Sequence, residues 1–268
     1  HTSEHPLPAN VHLVSAATAD TATLDLMRLG HAEEMVVITD DDLSNLDTAW
    51  AAKELAPKLP VAVHVSDLAL LRPVTRMIQE SKRADHPLVF NTHRIAALQL
   101  YERLLHPHFE NTGYRDVFVL GGFGRFAQTI LELLRAMATE ELEHVVIVDE
   151  LASSRVRQFE ADVPLAELKH STVDGVLEDP ETWTEVDAIV GSMEAAPVYL
   201  LASVDESVNF RTAMLLRKRA EESRIFARCF RRTRFAETLA AQRSFELFAF
   251  EEVFQEALQD HFRNLRVI

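Results

Sequence analysis

Short apolar runs and amphipathic stretches alternate along most of the chain. Met35–Thr39 and Val61–Val65 are apolar runs of strand length, with Leu43–Leu55 between them at helical spacing. Farther on, Asp85–Arg115 begins extended at Phe90 and continues as an amphipathic helix whose Ile95, Leu98 and Tyr101 share a face, with Leu105 one turn on. Val117–Leu120 is the next strand. It is followed by glycines and then by Ile130, Leu133, Leu134 and Met137 at helical spacing. Val145–Val148 and Leu168–Val173 are predicted strands, and Glu178–Val186 a helix with Pro180 tolerated in its first turn. Val198–Ala202 is a strand, Val208–Glu222 a helix, Ile225–Arg228 a strand, and Phe245–Phe262 reads as a helix on its apolar spacing. Strands alternating with helices predict an α/β fold with mainly parallel, doubly wound sheets.

The first hundred residues partly copy the second half. A shift of 164 residues lays Met35–Thr39 on Tyr199–Ser203, Leu43–Leu55 on Ser207–Arg219 and Val61–Val65 on Ile225–Cys229 without a gap. Under that shift Asp41 meets Asp205, Asn45 meets Asn209 and Thr48 meets Thr212. Upstream, Val11–Val14 and Ala19–Leu24 read as the third strand and helix of a doubly wound unit. The first copy therefore begins at strand three. In the strand order 3-2-1-4-5-6 that start leaves a two-strand gap, which an upstream strand–helix–strand or another segment is expected to fill. The predicted organisation is a partial unit over residues 1–110, including the connecting helix, and a complete unit over 111–268. The connecting helix is expected to cover its apolar face against its own sheet or against a second subunit.

Composition removes several classes. A formal net charge of −15 disfavours nucleic acid as a partner, because phosphate backbones reward Lys and Arg. Hydrophobic residues at 47% exclude global disorder. The one cysteine, Cys229, excludes an internal disulfide framework and is expected as a buried strand residue. No apolar run reaches the length that spans a bilayer. With His1 first and no leader pattern, no signal peptide is expected, and the chain reads as a piece of a longer protein. His86, His106 and His108 lack metal-site spacing and are expected as loop histidines. Asp40–Asp42 could offer oxygens to Ca²⁺, but the series lacks the EF-hand spacing and suits helix capping better.

Only 7 glycines occur, and three stand together at Gly121, Gly122 and Gly124. The series Gly122-x-Gly124-x-x-Ala127 follows a strand and opens a helix, and Asp149 and Glu150 end the next strand. That is the dinucleotide fingerprint in its required setting. Gly122 permits the turn, Gly124 lets backbone approach a pyrophosphate, and Ala127 lets helix and strand pack closely. Asp149 or Glu150 would accept ribose hydroxyls. A Rossmann domain that keeps this turn only for packing is the alternative. The basic stretch Arg211–Arg234 offers a phosphate wall, a partner for acidic helices, or a solvated face. None of the three tyrosines precedes a lysine by four residues, so the Tyr/Lys pair of short-chain reductases is absent and an NAD(P)-dependent oxidoreductase is the minor alternative.

The runs T-x-D-x-x-x-L from Thr23, T-D-D-D-L-S-N-L from Thr39, P-V-A-V-H-V-S-D from Pro60 and the turn Gly122-Phe123-Gly124-Arg125-Phe126 resemble the RCK (regulator of K⁺ conductance) or TrkA-N domains. The resemblance covers nearly the whole chain, as one partial and one complete copy. It implies a tandem, non-enzymatic ligand-gated module at the cytoplasmic side of the cell membrane. Its partners would be its own upstream pore helices or a separate K⁺ channel or transporter subunit, and it would form a homo-oligomeric ring, tetrameric or octameric. The implied ligand is NAD or an adenine nucleotide such as ATP or ADP. Carried over by position, Gly122, Gly124, Arg125, Phe126 and Ala127 match the phosphate turn, Asp149 and Glu150 the ribose acid, Asp174 and Gly175 the adenine side, and Ser203 the cleft floor. Arg228, on the fifth strand, is the expected basic contact.

Overall fold

The computed structural model describes residues 21–81, 85–253 and 255. The expected strand at Val11–Val14 lies outside them. The chain divides into two compact units, residues 1–66 with 70–90, and residues 67–69 with 91–268.

In the first unit, α1 (Thr21–Leu26) precedes β1 (Met35–Val37), α2 (Asp42–Leu55), β2 (Val61–His64), α3 (Leu68–Glu80) and β3 (Leu88–Phe90). The three strands form a parallel sheet in the order β1-β2-β3. Every residue of β2 is buried, as expected of a strand covered on both faces. Leu24, Leu29, Val37, Ala49, Ala52, Leu59, Val61 and Val63 form the core of this unit.

The connecting helix runs through α4 (Thr92–Leu100), a π-helical turn at Tyr101–Leu105, and α5 (His106–Asn111). Beyond it come β4 (Asp116–Gly121), α6 (Arg125–Met137), β5 (Leu142–Asp149), α7 (Ala152–Asp162), β6 (His170–Asp174), α8 (Pro180–Val190), β7 (Val198–Leu201), α9 (Glu206–Arg219), β8 (Ile225–Cys229), α10 (Arg234–Arg243) and β9 (Glu246–Ala249). The six parallel strands are ordered β6-β5-β4-β7-β8-β9, which is the doubly wound order 3-2-1-4-5-6. Side-chain alternation on β4 divides the core. Phe118 and Leu120 pack with α6 and α7 on one face, and Val117 and Val119 pack with α8, α9 and α10 on the other.

The apolar face of α4 is covered within this second unit: Ala96, Ala97, Leu100 and Tyr101 pack with Phe126, Ile130 and Leu134 of α6. The Tyr101 hydroxyl donates to the Met137 carbonyl at 3.1 Å. His106 and His108 are helical rather than in a loop, because Pro107 is acceptable at the start of α5. The His108 ring lies 3.3 Å from the Asp116 carboxylate, whose other oxygen accepts from the Thr112 hydroxyl at 2.6 Å.

One predicted element is corrected. Residues 246–249 are the edge strand β9, paired in parallel with β8, and helix begins only at residue 250. Phe245, Leu247, Phe248 and Ala249 are all buried, and an apolar run this short satisfies either period. The remainder of the expected Phe245–Phe262 helix lies outside the described residues, apart from residue 255.

The 164-residue repeat extends to side-chain hydrogen bonds. Asn45 donates from Nδ2 to the Thr39 and His64 carbonyls at 3.2 and 3.1 Å, and Asn209 donates to the Ser203 and Arg228 carbonyls at 2.9 and 2.9 Å. Asp42 accepts from the Ser66 amide at 2.9 Å, and Glu206 accepts from the Phe230 amide at 2.5 Å. Lys53 donates to the Pro57 and Leu59 carbonyls, and Arg217 donates to those of Glu221 and Ser223. Asp41 caps α2, and Asp205 caps α9.

Candidate functional site

The chain leaves β4 toward β5 on one side, while β7 pairs on the other, so a crevice opens at the carboxyl ends of β4 and β7. Gly121 and Gly122 are held at its base: the Ala202 amide donates to the Gly121 carbonyl, and the Gly122 amide donates to the Val148 carbonyl, both at 2.7 Å. Gly122 has φ +85°, and a Cβ there would stand 2.9 Å from the Ser203 nitrogen. Both the turn conformation and the close approach of β7 require glycine. Gly124 serves differently: a Cβ there would meet no atom within 4 Å, so the backbone faces open space.

Gly124 is also the N-cap of α6, and no side chain caps this helix. In the same unit α8, α9 and α10 start on Asp179, Asp205 and Thr233, each of which accepts from an amide of its helix's first turn. An α-helix leaves its first amides without internal acceptors, and its N-terminus favours negative charge. Of these four, α6 lacks a side-chain acceptor; α7 also has none at its N-cap, but its Ser153 amide donates to Asp174.

The crevice holds a cleft of about 270 Å³. Its lining brings together six of the expected residues: Gly122, Gly124, Asp149, Glu150, Gly175 and Ser203. Ser203 is half-buried; its amide donates to Asn209 Oδ1 at 3.0 Å. Gly175 keeps the third strand close, since its amide donates to the Asp149 carbonyl at 3.0 Å and a Cβ there would collide with Thr182. Arg155, Val176, Leu177, Glu178, Ala202, Val208 and the highly exposed Val204 complete the walls.

Five expected residues are placed elsewhere. Phe126 is buried beneath the turn, stacked on Phe248 with ring centroids 5.7 Å apart and edge-on to Phe250 at 4.8 Å. Ala127 is fully buried, as its packing role requires, and Arg125 is exposed outside the cleft lining. Asp174 turns to α7, where its carboxylate accepts from the Ser153 amide at 2.9 Å and hydroxyl at 2.6 Å. Those bonds hold its pKa below the usual aspartate value. Arg228 is corrected most plainly. Its guanidinium lies 4.2 Å from the Phe250 ring centroid and donates to the Ala202 carbonyl at 3.2 Å, on the face of β8 that carries Phe226. Burial lowers its pKa, partly opposed by Glu206.

Five other arginines of the basic stretch pair with acids rather than forming a phosphate wall, and Arg217 donates to main-chain carbonyls. Arg211 pairs with Glu178, Arg219 with Asp187, Arg224 with Glu246, Arg231 with Glu251 and Arg232 with Glu252. Asp41 and Asp42 likewise bind protein donors, as described above. Among the described residues no three His, Cys, Asp or Glu side chains gather to hold a metal ion.

The basic side chain of the cleft lining is one that sequence reasoning missed. Arg155, in the first turns of α7, donates to Asp149 Oδ2 at 2.8 Å. The same oxygen accepts from the Phe123 amide at 2.8 Å, and Oδ1 accepts from the Leu151 amide at 3.0 Å. The acid at the end of β5 therefore ties the glycine turn to the start of α7. Glu150 is exposed, and no hydrogen bond or ion pair engages its carboxylate among the described residues.

No protein-family model and no curated protein matches the sequence. Solved structures do match. Against the GsuK channel bound to ADP the TM-score is 0.61 at 16% identity, with 92% of this chain and 56% of that chain covered. Against GsuK bound to NAD it is 0.61 at 12%, covering 94% and 56%. Against the GsuK RCK domain it is 0.59 at 12%, covering 93% and 67%. The chain thus has the Rossmann-like fold of the GsuK RCK region, in two units that each contain a parallel sheet. It spans a little over half the length of the channel chains it matches.

Proposed function

We propose that this chain is a nucleotide-sensing regulatory module of a potassium channel or transporter. The carrying observation is the start of α6: a helix without a side-chain cap, opening at Gly124 onto an unobstructed cleft at the switch point. Main-chain amides there offer the contacts that a phosphate takes, and Gly122 and Gly175 keep the surrounding backbones close enough to frame it. Solved structures of the same fold include GsuK bound to ADP and to NAD, which supports an adenine nucleotide or NAD as the ligand here.

The module acts at the cytoplasmic side of the cell membrane, joined to pore helices of its own chain or of a separate subunit, within a homo-oligomeric ring. No described helix is long and apolar enough to cross a membrane. The role is regulation rather than catalysis. Ligand shifts the gate between two conformations by its differential affinity for them. Two units, residues 1–66 with 70–90 and residues 67–69 with 91–268, provide the tandem arrangement, and the connecting helix expected in the first unit packs with the second. Arg125, exposed outside the cleft lining, is assigned to a phosphate or a subunit contact.

Isothermal titration with NAD⁺, NADH, ATP and ADP tests the proposal. Saturable binding of at least one, abolished by Gly124→Val, is the expected result. A Cβ at this position meets no atom within 4 Å, so the fold is expected to survive while the larger side chain blocks the phosphate seat. No binding by the wild type would leave only an assembly role. Turnover of a nicotinamide cofactor with a small substrate would make the chain an enzyme.

A further inference from the structure

At the end of β4 opposite the glycine turn, a buried acid meets a histidine. Asp116, the first residue of the strand, is 1% exposed, and the His108 ring of α5 lies 3.3 Å from its Oδ1. Its Oδ2 accepts from the hydroxyl of Thr112, the C-cap of the same helix, at 2.6 Å. Burial raises the Asp116 pKa above the ordinary aspartate value, opposed by Thr112 and His108. The helix also carries a contrasting pair: His106 lies 3.6 Å from Glu110, with both side chains well exposed, where solvent screens the attraction. The other charged groups around the buried pair are accounted for. Arg115 donates to the Thr139 and Leu142 carbonyls, and the Asp116 amide donates to the Glu141 carbonyl at 2.7 Å. Burial, then the Glu141 and Glu110 carboxylates, raise the pKa of Tyr101, on whose ring His106 stacks.

We propose that His108 and Asp116 form a proton-operated clasp that fixes the end of the connecting helix to the start of β4. An unperturbed histidine changes charge between about pH 5 and 8. With His108 protonated and Asp116 ionised, the buried carboxylate has its counter-ion. Loss of the histidine proton leaves that carboxylate with the Thr112 hydroxyl and a neutral ring, and a buried charge without its counter-ion is destabilising. A histidine that gains a carboxylate on folding stabilises the fold below its unfolded pKa, and that stabilisation is lost as pH rises through the folded value. At the acid end Asp116 takes up a proton itself and the clasp opens again. The hold is therefore tightest in mildly acid solution. The glycine turn stands at the other end of the same strand, so the clasp is an input separate from the ligand cleft and does not rest on the nucleotide reading.

The test is hydrogen exchange over α5 in the whole chain, corrected for intrinsic rates, from about pH 5.5 to about 8. The Thr112 amide, which donates to the His108 carbonyl at 3.2 Å, reports the last turn of the helix. The wild type is expected to lose about tenfold in protection across that range, the factor that one pKa unit of coupling supplies. His108→Gln, whose amide can donate toward Asp116 at every pH, is expected to flatten the profile. His106→Gln, at the exposed pair, is expected to keep it. Asp116→Asn is expected to shift the His108 titration, followed by NMR, toward acid. A purely packing role for His108 would change protection evenly at all pH values. A flat wild-type profile, a slope that survives His108→Gln, a slope that His106→Gln abolishes, or an unmoved His108 titration in Asp116→Asn overturns the proposal. Should Asp116→Asn not fold, the two histidine variants decide the matter, since neither histidine is fully buried.

Discussion

The two copies of the strand–helix–strand frame differ in their chemistry and agree in their scaffolding. In both, a buried asparagine in the helix ties the end of one strand to the end of the next, through Asn45 in the first unit and Asn209 in the second. Both have an acid that receives the amide just past the second strand, an aspartate that caps the helix, and a basic residue that closes its far end. What changes is the side chain at the end of the second strand. His64 sits beside Phe90 with ring centroids 5.4 Å apart, whereas Arg228 lies over Phe250. A frame of buried backbone-directed bonds tolerates little substitution, because each lost partner strands a polar group out of water. The strand-end side chain is held by softer contacts and is open to divergence.

The strongest way to break this comparison is at the asparagines. Asn209 is fully buried, and Asn209→Ala should cost on the order of 3 kcal/mol, since it orphans two carbonyls and the Ser203 amide. Asn45→Ala should cost a comparable amount in the first unit. Urea unfolding followed by hydrogen exchange in each unit would show it, and a loss confined to one asparagine would end the equivalence. Next, Arg228→Met should destabilise the second unit by about 2 kcal/mol, through loss of a desolvated cation–π contact and the bond to Ala202.

A smaller effect separates the helix ends. Lys53→Met and Arg217→Met should each cost about 1 kcal/mol in thermal unfolding, with the arginine costing more because it reaches three carbonyls rather than two. The smallest effect is a difference in pH response. Burial pulls the His64 pKa below its ordinary value of 6.5, with Asp42 opposing. A depressed histidine contributes stability above its unfolded pKa and loses it as pH falls through the folded one. Exchange protection in the first unit should therefore decline below neutrality, and His64→Gln should flatten that slope. A slope that persists in the variant would assign the pH response to other groups.

Much of the second unit is legible in the sequence because its signals are local. The turn at Gly121–Gly124 stands between an apolar run and a helical stripe, and the alternation of elements exposes the repeat despite few shared letters. Phe126 reads as part of the phosphate turn, yet it also continues the stripe Ile130–Leu134, which marks it as core. Arg228 reads as a basic contact, yet strand alternation puts it on the same face as Phe226. Arg155 cannot be read from spacing, because its bond to Asp149 depends on how α7 packs back across the strand end. The edge strand β9 is hidden because Phe245, Leu247 and Phe248 suit a helix face and a buried strand equally well.

The π-helical turn at Tyr101–Leu105 has a further consequence for any shortening of the connecting helix. That turn winds one residue more than ordinary helix into the same turn, as a bulge, so the segments on either side keep their facing. Deleting a single residue there would restore ordinary winding and leave Phe109, which is 4% exposed, in its packing and His108 beside Asp116. A one-residue deletion within Tyr101–Leu105 is therefore expected to do less harm than one within α4, where everything downstream would swing by roughly 100° about the axis.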